Sequence, residues 1–169
     1  MFRPQKTVTA AAAAARRELR RGRRPSHDFD ASRYFRGERN FGFLNTGTAA
    51  MRGVVRAVYA AQRDQWSLAD AVQFADALMP GRFLETKLVG IEVLARFRRD
   101  FTPRVLVHCK RWLASDYSAN WASTDDMCGT VIGPLLHMRP QLIPQMRAWA
   151  THENMWVRRA SIVGLLVPV

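Results

Sequence analysis

Apolar residues recur at three- and four-residue intervals along this 169-residue chain, and nowhere alternate with period two for long enough to make a strand. A period near 3.6 sets an apolar stripe along one side of a helix, so the chain is predicted to be all-α. Helices are expected from about Thr9 to Arg21, from Asp28 to Arg36, and from Thr48 to Gln62. The last of these has Met51, Val54, Val55, Val58 and Tyr59 as its stripe. Ser67 reads as the N-cap of the next helix, with Asp70 three residues on as its capping-box partner, and Pro80-Gly81 ends it. The segment Phe83 to Phe101 carries the strongest one-sided pattern, with Leu84, Leu88, Ile91, Leu94 and Ala95 inward and Lys87, Glu92, Arg96 and Arg99 outward. Thr102-Pro103 opens a helix with stripe Val105, Leu106, Cys109, Trp112 and Leu113, because proline is tolerated in a first turn. A helix at Trp121 runs toward Met138 with a kink expected at Gly133-Pro134. Gln141 to Ala150 follows, and Glu153 begins a last helix that runs to the end.

Helices of ~10–20 residues joined by short loops, in pairs of about 40 residues, point to a right-handed α-solenoid of HEAT-like helix pairs with a concave basic face. Residues 1–169 are read as one such domain, with 1–27 an N-terminal basic helix and linker. The closing stretch Ser161 to Val169 is apolar and has no polar capping turn. It is expected to belong to a stack whose last repeats are missing, or to self-associate through that apolar helix.

Charge narrows the partner. Twenty-six Lys and Arg oppose 14 Asp and Glu, a net charge of +12, which suits a nucleic acid or another anionic surface. Six arginines lie between Arg16 and Arg24. Cys109 and Cys128 make no disulfide scaffold, and His27, His108, His137 and His152 lack metal-ligand spacing. No metal, nucleotide or other cofactor is expected, since no Gly-rich phosphate loop and no nucleophile triad can be assembled. No apolar run reaches the ~18 residues of a membrane span, and a cytoplasmic location is expected, nucleoid-associated if the protein is bacterial.

Two pairs at helical spacing carry what chemistry the chain offers. Trp121 and Asp125 lie one turn apart on one face, an aromatic wall beside a carboxylate. Trp156 and Arg159 are spaced i, i+3, with Arg158 adjoining. Asp125 reads as an exposed helix acid, as a partner of some nearby arginine, or as a carboxylate in a basic groove walled by Trp121; Asp126 points about 100° away around the helix. Trp121 reads as core or as a wall. The two arginines read as a solvated face or as a bidentate phosphate grip.

At these residues the chain resembles the DNA alkylation repair family of AlkD-like HEAT-repeat glycosylases. The matching pieces are Ser32-Arg33-Tyr34-Phe35, Phe41-Gly42-Phe43 leading to Met51-Arg52, and Glu85 ahead of Leu94. Asn120-Trp121-Ala122-Ser123-Thr124-Asp125 and Asn154-Met155-Trp156-Val157-Arg158-Arg159-Ala160-Ser161 complete the set in the family's order. The resemblance implies hydrolysis of the N-glycosidic bond of cationic alkylated purines, of the 3-methyladenine and 7-methylguanine type, in duplex DNA and without deep base flipping. It implies that Asp125 is the catalytic carboxylate and that Trp121 packs on the deoxyribose. It also implies that Tyr34, Arg159, Trp156 and Arg158 serve DNA binding. Thr46-Gly47-Thr48 and Leu78-Met79-Pro80 depart from the family's usual pattern, and the chain stops before a further wall aromatic. The alternatives are a non-catalytic helical-repeat DNA-binding module and a protein-interaction scaffold.

Overall fold

The computed structural model describes residues 6–25, 35 and 41–166. The protein is all-α, and among the described residues no strand forms; one isolated bridge joins Gly42 and Phe83. The chain divides into two compact units, Met1–Val93 and Leu94–Val169. The short helix expected from Asp28 to Arg36 lies outside the described residues apart from Phe35, and so does Tyr34.

In the first unit α1 (Val8–Arg21) begins at Thr7, whose hydroxyl accepts from the Ala10 amide at 3.1 Å. Ala11, Ala12, Ala14, Ala15 and Leu19 form its buried face, which packs against α2 (Thr48–Gln62) and α3 (Leu68–Leu78). Arg16 on this helix donates to the carbonyl of Ala77 near the end of α3. The stripe of α2 is the expected one at Met51, Val55 and Val58. The capping box at α3 forms as read, with the Ser67 amide and hydroxyl both donating to Asp70 Oδ2, at 2.9 and 2.6 Å. Those bonds hold the Asp70 carboxyl below its ordinary range.

The pattern over Phe83 to Phe101 resolves differently from its sequence reading. Helix α4 (Leu84–Ala95) is buried almost all round, including Glu85, Thr86 and Lys87, and only Glu92 and Ala95 near its end are partly open along with Leu88. Gly90 explains the tight fit: a Cβ there would meet the Ala75 Cα and the Leu78 Cβ of α3 at 3.3 Å each. With α4 that close, its polar residues are enclosed and must find partners within the fold.

Each does. Glu85 accepts from the Leu44 amide through both carboxylate oxygens at 3.0 Å and from the Asn45 amide at 2.7 Å. Asn45 itself sits at φ 55, a conformation asparagine tolerates better than most residues. The Leu44 carbonyl in turn accepts from the Arg24 amide at 3.0 Å, so the exit of α1 is tied through the loop to α4. Lys87 donates from Nζ to the Met79 carbonyl at 2.7 Å.

Lys87 has a measurable consequence. Burial lowers its pKa from 10.5 to about 8. Between those values the unfolded chain binds the proton and the native protein does not, so stability rises with pH across the window. Below about pH 8 the lysine is charged in both states and the burial penalty is fully present. Unfolding in urea at pH 7.5 and at pH 10.5, compared between wild type and Lys87→Met, is expected to differ. Wild type gains on the order of 2 kcal/mol on the variant over that interval, after allowing for solvent screening. An unchanged difference would place the ammonium in water.

The second unit contains α5 (Arg104–Ala114), whose buried residues Val105, Leu106, Cys109, Trp112 and Leu113 are the expected stripe. Next comes α6 (Trp121–Met127), then a π-helical turn (Cys128–Ile132), then α7 (Gly133–Met138), without a break. The interruption anticipated at Gly133-Pro134 is therefore a π turn lying just ahead of it. Pro134 has no amide proton for the Thr130 carbonyl, and the chain widens so that the Gly133 amide reaches Cys128. A 3₁₀ turn (Pro140–Leu142) leads to α8 (Ile143–Ala150), which buries Met146 and Trp149. The last helix, α9 (Met155–Val163), starts two residues later than expected because Asn154 is its cap, and it does not run to the end. It packs against α5, α6 and α8. At its end Gly164 lies so close to Ile132 that a Cβ would fall 2.8 Å from the isoleucine Cγ2.

Candidate active site

The candidate residues are displayed by a buried polar ladder. Asn120 stands in extended conformation before α6, and its Oδ1 accepts from the Ser123 amide at 2.8 Å. Ser118 and Ser123 share a hydroxyl hydrogen bond of 2.7 Å, and the Thr124 hydroxyl donates to the Ser118 carbonyl at 2.8 Å. Ser123, Thr124 and Met127 thus become the inward face of α6. At 3.6 residues per turn the opposite face carries Trp121 and Asp125. Trp121 is 42% exposed, so it is a surface tryptophan and not core.

Arg159 reaches Asp125 from α9. Its Nε donates to Oδ1 at 2.7 Å and its Nη2 to Oδ2 at 2.6 Å, a two-pronged pair with about a third of the Asp125 side chain still open to solvent. The bond to Asp125 raises the pKa of the guanidinium above its ordinary value. Two of the roughly four lone-pair directions of the carboxylate are occupied, which leaves the others for water or for a positive charge.

The neighbouring arginine has a different employment. Arg158 donates from Nη1 to the carbonyls of His152 and Glu153, at 2.7 and 2.6 Å, and so braces the entry to its own helix. Asn154 caps that helix by accepting from the Trp156 amide at 2.8 Å, while its Nδ2 donates to Asp116 at 2.8 Å. Trp156, half-buried, lies one turn before Arg159. The loop contacts set the rotation of α9, and the rotation of α9 brings Arg159 to Asp125.

Cys128 follows Asp125 on the same helix, and burial, reinforced by the Asp125 charge, pushes its thiol up to about 12. Burial raises Cys109 as well. Neither sulfur is a thiolate at neutral pH, so neither serves as nucleophile. Among the described residues no group of three His, Cys, Asp or Glu side chains is arranged to hold a metal ion. No helix among them is long and apolar enough to cross a membrane.

A family model described as DNA alkylation repair enzyme matches residues 15–169. The chain belongs to the DNA alkylation repair enzyme family. No curated protein matches the sequence. The matched span includes all the candidate residues of this DNA alkylation repair family member. The fold brings Asp125 and Arg159 into contact, sets Trp121 one turn from Asp125, and directs Arg158 to backbone carbonyls. The supporting roles of Ser118, Asn120, Asn154 and Asp116 emerge only in the fold. The signal was present, since Asn120 and Asn154 each stand at the start of a helical run, where asparagine is a preferred cap.

Proposed function

We propose that this protein is a DNA glycosylase that hydrolyses the N-glycosidic bond of cationic alkylated purines in duplex DNA, with the helix pairs of each unit acting as HEAT-type repeats. The observation that carries this reading is the Asp125 carboxylate, gripped at both oxygens by Arg159, on the face of α6 that also presents Trp121.

An alkylated purine such as 3-methyladenine carries a positive charge. When its bond to C1′ breaks, the bonding pair returns to the ring and the base departs neutral. The sugar is left as an oxocarbenium ion, water adds to C1′, and its proton passes to solvent. Such a reaction needs no acid to activate the leaving group; it needs a negative charge near C1′ and a wall that favours positive charge. Asp125 supplies the first and the Trp121 ring face the second. Arg159 stays charged at any physiological pH, so it is no proton donor for a neutral purine. Selectivity for cationic lesions follows. The surface position of Trp121 supports attack on a lesion that is not drawn into a deep pocket, unlike the common strategy for base chemistry.

The test is release of free methylated purine from methylated duplex, followed by chromatography, against unmodified duplex as control. Release confined to the methylated substrate is expected. Trp121→Ala is expected to lower kcat/KM for that release by about 10- to 100-fold, the worth of one aromatic stacking contact. A variant as active as wild type would remove Trp121 from the site, and absence of release by wild type would overturn the glycosylase reading.

A further inference from the structure

Arginines crowd the far end of α1 beyond what its fold requires. Arg16 is engaged with the Ala77 carbonyl, and Arg21 pairs with Glu18 at 2.9 Å, a helical i, i+3 contact. Arg17, Arg20, Arg23 and Arg24 are exposed and have no carboxylate partner among the described residues. Cations do stabilise a helix C-terminus, but that effect fades within the last turn. It accounts for Arg20 and Arg21. It does not account for Arg17, which precedes that turn, or for Arg23 and Arg24, which follow the helix. Arg17, Arg20 and Arg21 are spaced i, i+3 and i+4, the register of one helical face, and Arg23 and Arg24 continue the basic run just beyond the helix.

The patch is also anchored. The Arg24 amide donates to the Leu44 carbonyl, and the amides of Leu44 and Asn45 donate to the buried Glu85. The arginines therefore leave a fixed backbone, which lowers the ordering cost of gripping a regular array of charges. Guanidinium groups at this spacing suit phosphates repeated along a strand, each neutralised by its own fork.

We propose that Arg17 and Arg20 on α1, with Arg24 on the segment that leaves it, form a second nucleic-acid surface, on the other unit from Asp125, that holds the phosphate backbone of duplex DNA without reading its sequence. The inference rests on the reading of the chain as a DNA-acting protein but not on its catalysing base release. Such a surface supplies affinity for undamaged duplex and leaves the chemical step to Asp125.

The experiment measures binding of wild type and of Arg17→Gln/Arg20→Gln/Arg24→Gln to an undamaged fluorescent duplex over a range of salt. Each lost phosphate contact removes about 0.9 from the slope of log Kobs against log salt, so the slope is expected to shrink by between about 2 and 3. The triple lysine variant is expected to keep the wild-type slope, because ion release depends on charge. Release of methylated purine under single turnover with saturating protein is expected to equal wild type. A glutamine variant with the wild-type slope, or a lysine variant with the glutamine slope, overturns the proposal. Loss of binding to phosphatidylserine vesicles with the duplex slope intact also overturns it and assigns the patch to a membrane surface. Failure of the glycosylase reading is distinct: it shows as no release by wild type while both duplex slopes behave as expected.

Discussion

Asp125→Asn is expected to lower release of methylated purine by about 100- to 1,000-fold, corresponding to about 3–4 kcal/mol of transition-state stabilisation. The substitution keeps the shape of the side chain and removes its charge. An amide has one oxygen to offer the Arg159 fork and no negative charge to set beside a developing oxocarbenium ion. Duplex affinity is expected to hold or to tighten slightly at low salt, because the chain gains one net positive charge and Arg159 loses its counter-ion. Single-turnover release and duplex binding, measured on the same preparation, separate the two effects. Release at the wild-type rate would remove Asp125 from the chemistry. Loss of release and binding together would mean that the pair with Arg159 holds α6 and α9 in place, and that its role is architectural.

The second large effect is one of stability. Glu85→Ala is expected to destabilise the protein by about 3–5 kcal/mol, because the amides of Leu44 and Asn45 lose a charged acceptor in a closed environment. Alanine also leaves a void beside the bridge between Gly42 and Phe83, which keeps the same loop against the start of α4. Glu85→Gln retains one carbonyl oxygen and is expected to cost less, about 1–2 kcal/mol. Urea unfolding at constant pH checks both: the alanine variant's midpoint should fall by about 1.5–2.5 M for a slope near 2 kcal/mol/M. A loss below 1 kcal/mol would mean that water replaces the carboxylate at those amides.

Glu85 lies beyond what local sequence patterns specify. A glutamate near the start of a helix looks like ordinary first-turn chemistry, with the anion favoured by the helix dipole. Its actual partners are about forty positions away, and no local pattern names them. Lys87 misled for a related reason. A lysine at an outward position of a one-sided pattern should reach water, and it fails to do so because Gly90 lets α3 settle directly on α4. Where the buried neighbours are local, spacing suffices: the stripes of α2 and α5 and the capping box at Ser67 and Asp70 are as it requires.

Helical class, element order and the placement of Trp121 and Asp125 on one helical face were all decided by the sequence. Each depends on residues within a turn or two of one another, where spacing and capping chemistry act directly. Tertiary structure alone decided that Arg159 grips Asp125 across 34 positions while Arg158, its neighbour, turns to the carbonyls at the foot of α9. Two adjacent residues on a helix point about 100° apart. Which of them meets α6 is set by the rotation at which α9 packs, through the Asn154 cap and its bond to Asp116, and by the π turn that Pro134 imposes ahead of α7. That rotation is a property of packed surfaces, and no stretch of the chain read by itself contains it.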